Sequence, residues 1–332
     1  MAFRSSKTIT GFPGMVASYG QPNPSGIAGG LARYWGGGEV IFVGNRSGLK
    51  AGDGSSPNNP MSSLVGTGGA LAALQGTTGR GHVIFLLPGS SYSVDAADWA
   101  SVMGAASDFA IIGLGTGTSR ASLTWTTATS TLLMDTANVA IDGCRLFLAG
   151  ANAAGAALTV AAPITISGPG CALRNNDIFF GFDADQIVTV GITTTAAADG
   201  LTLENNTCIG ATAAECTTFM DIIGVDQLRM RGNYFAGATS ATGVGIVRFA
   251  TTASLDIVLE YNTYVNRKAA SAAAVTGLAG VSGVSRDEMF HYLDNTSTTP
   301  WVTSPGIMCF YNPRVTNLAG EVGMIPTVVS TA

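Results

Sequence analysis

Leu173-Arg174-Asn175-Asn176-Asp177-Ile178 places one apolar residue on each side of a short polar turn, and much of the chain repeats it. The unit returns as Leu203-Glu204-Asn205-Asn206-Thr207-Cys208, as Met230-Arg231-Gly232-Asn233-Tyr234-Phe235 and as Leu259-Glu260-Tyr261-Asn262-Thr263-Tyr264. A weaker copy precedes them at Ile141-Asp142-Gly143-Cys144-Arg145-Leu146. The leading apolar residues at 141, 173, 203, 230 and 259 are 32, 30, 27 and 29 residues apart. Counting backwards adds Ile112 and then Ile84, at steps of 29 and 28 residues. A second apolar run keeps pace between these anchors, at Leu158-Thr159-Val160, Ile187 to Val190, Phe219 to Ile223 and Ile246 to Phe249. The segments are short, rich in β-branched and aromatic residues, and punctuated by Gly, Asn, Asp and Ser, which is strand and turn chemistry. No long window carries a helical period. A propeller blade needs about 40 residues or more, so a unit of about 30 fits one coil of a solenoid better. The spacing therefore predicts an all-β parallel β-helix of about seven coils over 40–285, with inward residues at Ile84, Ile112, Ile141, Leu173, Leu203, Met230 and Leu259. Asn176, Asn206, Asn233 and Asn262 should stack as a ladder. Asparagine tolerates the left-handed turn conformation, and its amide can bond to its copy one coil away.

With these repeats, the segments His82-Val83-Ile84-Phe85-Leu86-Leu87-Pro88-Gly89 and Phe109-Ala110-Ile111-Ile112-Gly113-Leu114-Gly115 resemble the pectate-lyase-like right-handed parallel β-helix superfamily. Gly52-Asp53-Gly54-Ser55-Ser56-Pro57-Asn58-Asn59-Pro60 is similar to the loop leading into the first coil of many phage tail and surface β-helix proteins. In those proteins a short helix then caps the open end, a part that Ser62 to Leu74 could play. The resemblance implies a bacteriophage virion structural protein, a capsid decoration or head-fibre subunit, assembled as a homotrimer. Its alternative is a tailspike-like protein that binds or depolymerises a polysaccharide. Residues 1–39, with Gly and Pro punctuation and no period, read as an arm attaching to the major capsid protein or another virion protein. Residues 286–332, carrying Phe290, Tyr292, Trp301, Phe310 and Tyr311, read as a C-terminal cap or oligomerisation segment.

Charged residues make up 11% of the 332-residue chain, against roughly 25% in an ordinary soluble domain. The surface should therefore be neutral hydroxyl and amide, or covered by partners. A net charge of −5 and no Lys/Arg-rich run argue against nucleic-acid binding. The uncharged stretch Leu146 to Ile166 is long enough for a membrane span, but Asn152, Pro163 and its small residues favour strand-turn-strand. The first residues lack an apolar segment of the secretory type, so the expected location is the virion surface after synthesis in the host cytoplasm. Cys144, Cys171, Cys208, Cys216 and Cys309 are odd in number and form no CxxC pair. They are expected to be free thiols packed as small apolar groups.

No cofactor or metal is expected, since the only two histidines are His82 and His291 and both read as structural. The chain is read as a non-enzyme, with a polysaccharide hydrolase or lyase as runner-up. Inverting hydrolysis needs two carboxyls roughly 6.5–9.5 Å apart. Asp183 and Asp185 in Gly181-Phe182-Asp183-Ala184-Asp185 are the best local pair, and Asp221 is the candidate one coil later. The competing reading of that segment is a polar turn. The Asp-Asp pair and later His of pectin hydrolases are absent, so no residue carries over as catalytic. Asp142, Arg174, Glu204, Arg231 and Glu260 share one repeat position and should line an outer face with alternating sign. Phe179, Phe180, Tyr234, Tyr261 and Tyr264 could platform sugars, with core or inter-subunit packing as the alternative. Gly113 to Gly117 lacks the Lys-Ser/Thr ending of a phosphate loop.

Overall fold

A computed structural model describes residues 36–49, 51–66, 68–74, 81–94, 107–148, 158–181, 185–210, 216–239, 244–267, 274–292, 306–310, 313–316 and 325–326. Of the expected arm, residues 1–35 lie outside the described residues. The chain is a right-handed parallel β-helix with three main sheets. Sheet 1 has ten strands: Val40–Val43, His82–Leu86, Phe109–Gly113, Val139–Asp142, Ala172–Arg174, Thr202–Glu204, Arg229–Arg231, Ile257–Glu260, Gly283–Arg286 and Ile307–Phe310. Sheet 2 has six: Leu132–Met134, Ile164–Ile166, Val190–Thr194, Thr218–Ile222, Val247–Phe249 and Val275–Thr276. Sheet 3 also has ten, from Ser91–Ser93 through Ser122–Trp125, Arg145–Leu148, Asp177–Phe179, Thr207–Ile209, Tyr234–Gly237, Thr263–Asn266 and Met289–Tyr292 to Pro313–Thr316, which Ile325–Pro326 closes antiparallel.

The path runs from sheet 1 through a two-residue turn to sheet 3, on to sheet 2, and back to sheet 1. The repeat predicts about seven coils. Among the described residues six have all three sides, because sheet 2 has six strands there, and two-sided coils continue the stack at both ends. The parallel ladder also runs past residue 285. Gly283–Arg286 pairs with Ile307–Phe310, and Met289–Tyr292 pairs with Pro313–Thr316.

Alternate side chains enter the core. The inward column of sheet 1 is Ile41, Ile84, Ile111, Ile141, Leu173, Leu203, Met230 and Leu259. Ile111, not the expected Ile112, therefore pairs with Ile84 and Ile141. Phe109–Gly113 is buried along its whole length, so alternation of hydrophobicity cannot show which isoleucine faces inward. Ile112 belongs to a second apolar cluster on the outer face of sheet 1, with Phe42, Val83, Phe85, Leu87, Ala110, Leu114, Ala140 and Ala172. Phe42 and Phe85 stack there with centroids 5.4 Å apart.

The second apolar run divides between two sheets. Among the described residues Leu158–Val160 pairs with Gln186–Val188 alone, in a small separate sheet. Phe219 and Phe249 lie in strands of sheet 2. Pro163 separates Leu158–Val160 from Ile164–Ile166, and the latter is the segment that joins sheet 2. The expected helical cap contains one four-residue helix, Ala70–Ala73, whose Leu71 is buried, with Leu64 and Leu74 buried beside it. The loop Gly52 to Pro60 folds back onto the first strand, where Phe42 N–H donates to Gly54 O at 2.9 Å. No helix among the described residues is long and apolar enough to cross a membrane.

Candidate functional site

The turn between sheets 1 and 3 is built the same way in successive coils. Its first residue has positive φ: Gly143 at 69°, Asn175 at 53°, Asn205 at 54°, Gly232 at 65°, Tyr261 at 56° and Asp287 at 53°. The next residue turns inward and forms a ladder. Asn176 Nδ2 and its backbone N–H both donate to Asn206 Oδ1, at 3.0 and 3.1 Å. Asn206 repeats this on Asn233, and Asn233 on Asn262. The second hydrogen of each amide reaches back to a carbonyl: Ile141 O, Leu173 O, Leu203 O and Met230 O in turn. All four asparagines are buried, and the four side-chain amides form a column along the axis.

The column ends on Glu288, which the repeat had hidden. Asn262 Nδ2 donates to Glu288 Oε1 at 2.8 Å, and Asn262 N–H to the same oxygen at 3.2 Å. The signal was Ser285-Arg286-Asp287-Glu288-Met289-Phe290, a copy of the repeat whose ladder position carries a carboxyl in place of an amide. Burial pushes the Glu288 acid up to about 8, against the partial relief of its bonds from Asn262. Tyr264 is raised as well, by its own burial and then by the nearby Glu288. Beside them the inward column of sheet 3 becomes an aromatic stack. Phe235 and Tyr264 lie 5.4 Å apart, and Tyr264 and Phe290 5.0 Å, nearly parallel.

Outside the turn, Asp142, Arg174, Glu204, Arg231, Glu260 and Arg286 are register neighbours on sheet 1. Arg174 pairs with Glu204 at 3.3 Å, and Glu260 pairs with Arg286. Asn175 Nδ2 donates to Asp142 Oδ1 at 2.8 Å. Arg231 lies over the Tyr261 ring, 5.9 Å from its centroid. Around the corner on sheet 3, Arg145 lies over both Phe147 and Phe179, at 5.0 and 5.3 Å.

The carboxylates singled out for hydrolysis are placed differently. Asp183 lies outside the described residues. Asp185 ends the turn before Gln186–Val188, and its carbonyl accepts from Leu158 N–H at 2.7 Å. Asp221 faces outward on sheet 2 and is held on both oxygens by Arg248, through Nε at 2.9 Å and Nη2 at 2.5 Å. That bonding keeps the Arg248 guanidinium more firmly protonated than usual.

The five aromatics also divide. Phe180 and Tyr264 are buried in the core, whereas Tyr234 and Tyr261 are 37% and 50% exposed. Phe179 is half-buried on the outer face of sheet 3. His82 is buried, and its Nδ1 accepts from Glu39 N–H at 2.8 Å. The five cysteines are free. Burial pushes Cys144 and Cys216 up to about 12 and Cys171 to about 11, and raises Cys208 too, so these four sulfurs sit as neutral apolar groups. Among the described residues, no group of three or more His, Cys, Asp or Glu could hold a metal ion.

No family model matches the sequence, and no curated protein matches it. Two solved structures match at low similarity. A pectin methylesterase from Aspergillus niger, in deglycosylated form, is 10% identical over 85% of this chain and 86% of its own, with a TM-score of 0.33. The A-module of a mannuronan C-5 epimerase from Azotobacter vinelandii is 13% identical over 78% of this chain and 94% of its own, with a TM-score of 0.28. The parallel β-helix assignment rests on the strand pairing within this chain.

Proposed function

We propose that this chain is a structural protein of the bacteriophage particle surface, a capsid decoration or head-fibre subunit whose solenoid is a stiff projection. The carrying observation is that neighbouring coils are bonded along the axis by independent columns. The asparagine ladder, the aromatic stack and the paired charges of sheet 1 each tie one coil to the next. A rod whose coils are linked at several points around its girth resists bending and protease attack, the properties a projection needs. In this reading residues 1–39 attach to the major capsid protein or a neighbour of it, and three copies assemble. Immunogold microscopy and peptide mass spectrometry of purified particles of the encoding phage should find the chain on the surface. Its absence from the particle overturns the reading, and a monomeric mass in light scattering overturns the trimer.

Polysaccharide cleavage is the competing reading. Asp221 enters it already committed to Arg248, and would have to leave a two-point charge-assisted contact before exchanging a proton. Incubation with host capsule or lipopolysaccharide decides between them. Saccharide release that Asp185→Asn or Asp221→Asn abolishes would replace the structural role with a catalytic one.

A further inference from the structure

Tyr261 stands where the turn column elsewhere carries Gly143, Asn175, Asn205, Gly232 and Asp287. Those residue types are the ones that adopt positive φ readily, whereas a bulky aromatic there is strained. The ring gains little packing in return, since the residue is half exposed. The turn's own backbone preference does not call for a tyrosine here.

Its surroundings supply a chemistry. Arg229 and Arg231 are alternate residues of one strand, both exposed on the outer face of sheet 1. Among the described residues neither has a carboxylate within ion-pair distance, although the adjacent Arg174–Glu204 and Glu260–Arg286 pairs are closed. Two unpaired guanidinium groups are a notable commitment in a chain with 16 Lys and Arg against 21 Asp and Glu. Arg231 already lies over the Tyr261 ring. Tyr234, in the same coil as Arg231, adds a second exposed ring, flanked in register by Thr207 and Thr263.

We infer that this ridge, formed by Arg229, Arg231, Tyr234 and Tyr261, binds an acidic polysaccharide. A pyranose ring offers a C–H face to the tyrosines, and the planar guanidinium forks take its carboxylates. A turn ridge is convex, so it suits a long polymer touched along one side. Both tyrosines leave a hydroxyl available to sugar hydroxyls. The site needs no virion, so it stands or falls apart from the surface-projection reading.

Affinity electrophoresis of the full chain through gels containing polysialate, hyaluronate or polygalacturonate tests this, with dextran as the neutral control and single-stranded DNA as a second anion. At least one acidic polysaccharide should retard the protein, less so in added salt, while dextran and DNA do not. Arg231→Gln and Tyr261→Asn should each weaken retardation roughly tenfold or more. Tyr261→Asn restores a residue type that the turn prefers, so it should melt at or above the temperature of the unmodified protein while losing binding. A purely structural tyrosine would move the melting point down and leave binding alone. The inference fails if no acidic polymer retards the protein, if dextran or DNA retards it equally, or if both variants bind normally. It fails too if Tyr261→Asn changes only the oligomeric state, which would make the ridge an interface between copies.

Discussion

Asn206 illustrates how much one buried amide holds. Its Oδ1 accepts from both donors of Asn176, and its Nδ2 reaches Leu173 O and Asn233 Oδ1. Alanine leaves these partners without a replacement at a site water does not reach. Each such loss costs about 1–3 kcal/mol, so Asn206→Ala should lower stability by roughly 3 kcal/mol or more in urea unfolding. Glu204→Gln, two residues away on the surface, should change it by less than about 1 kcal/mol, because partly exposed ion pairs contribute little. Glu288 is the ladder's exception. The unfolded acid titrates near 4.5 and the folded one near 8, so the unfolded chain gives up its proton first. The contribution of this group is therefore full below about 4.5, falls as pH rises, and is lost once the pH has passed about 8. Thermal melts between pH 5 and 9 should show that decline, and Glu288→Gln should flatten it. The asparagine positions were legible in sequence because one residue type recurs at one step. Glu288 was not, because the column changes type where it ends.

At the level of strands, the unit joining sheet 1 to sheet 3 could be read directly. Its turn is two residues long in every copy from Ile141 to Tyr264, so the apolar spacing survives. Sheet 2 was harder, since the chain between it and sheet 3 varies in length and holds the extra strands Leu158–Val160 and Gln186–Val188. Ile111 and Ile112 could not be told apart because both faces of their strand are buried. The joint between sheets 2 and 3 also depends on glycine. Phe180 and Phe219 meet edge to face at 5.5 Å. A Cβ on Gly237 would lie 2.4 Å from Phe219 Cζ, and one on Gly191 2.4 Å from Phe180 Cζ. Gly237→Ala should therefore cost about 1–3 kcal/mol through displacement of the Phe219 ring, with a change in near-ultraviolet circular dichroism.

Across the whole molecule, the outer face of sheet 1 changes character from one end to the other. Its early rows are the apolar cluster from Phe42 to Ala172, and its later rows are charged residues ending in the exposed Met308 and Phe310. Composition averages over this gradient, so the overall charge content does not reveal that on this one face the charged residues lie in the later rows. The first coils are thus packed on both sides of one sheet, the last coils on one. In a solenoid, stability is close to a sum over coils and their interfaces. Hydrogen exchange should accordingly be slowest at the amides of Val83, Phe85 and Ile112 and faster towards Ile307. The double-sided coils are also those made first at the ribosome. They offer a finished template before the rest of the chain exists, so each later coil can settle onto a completed one.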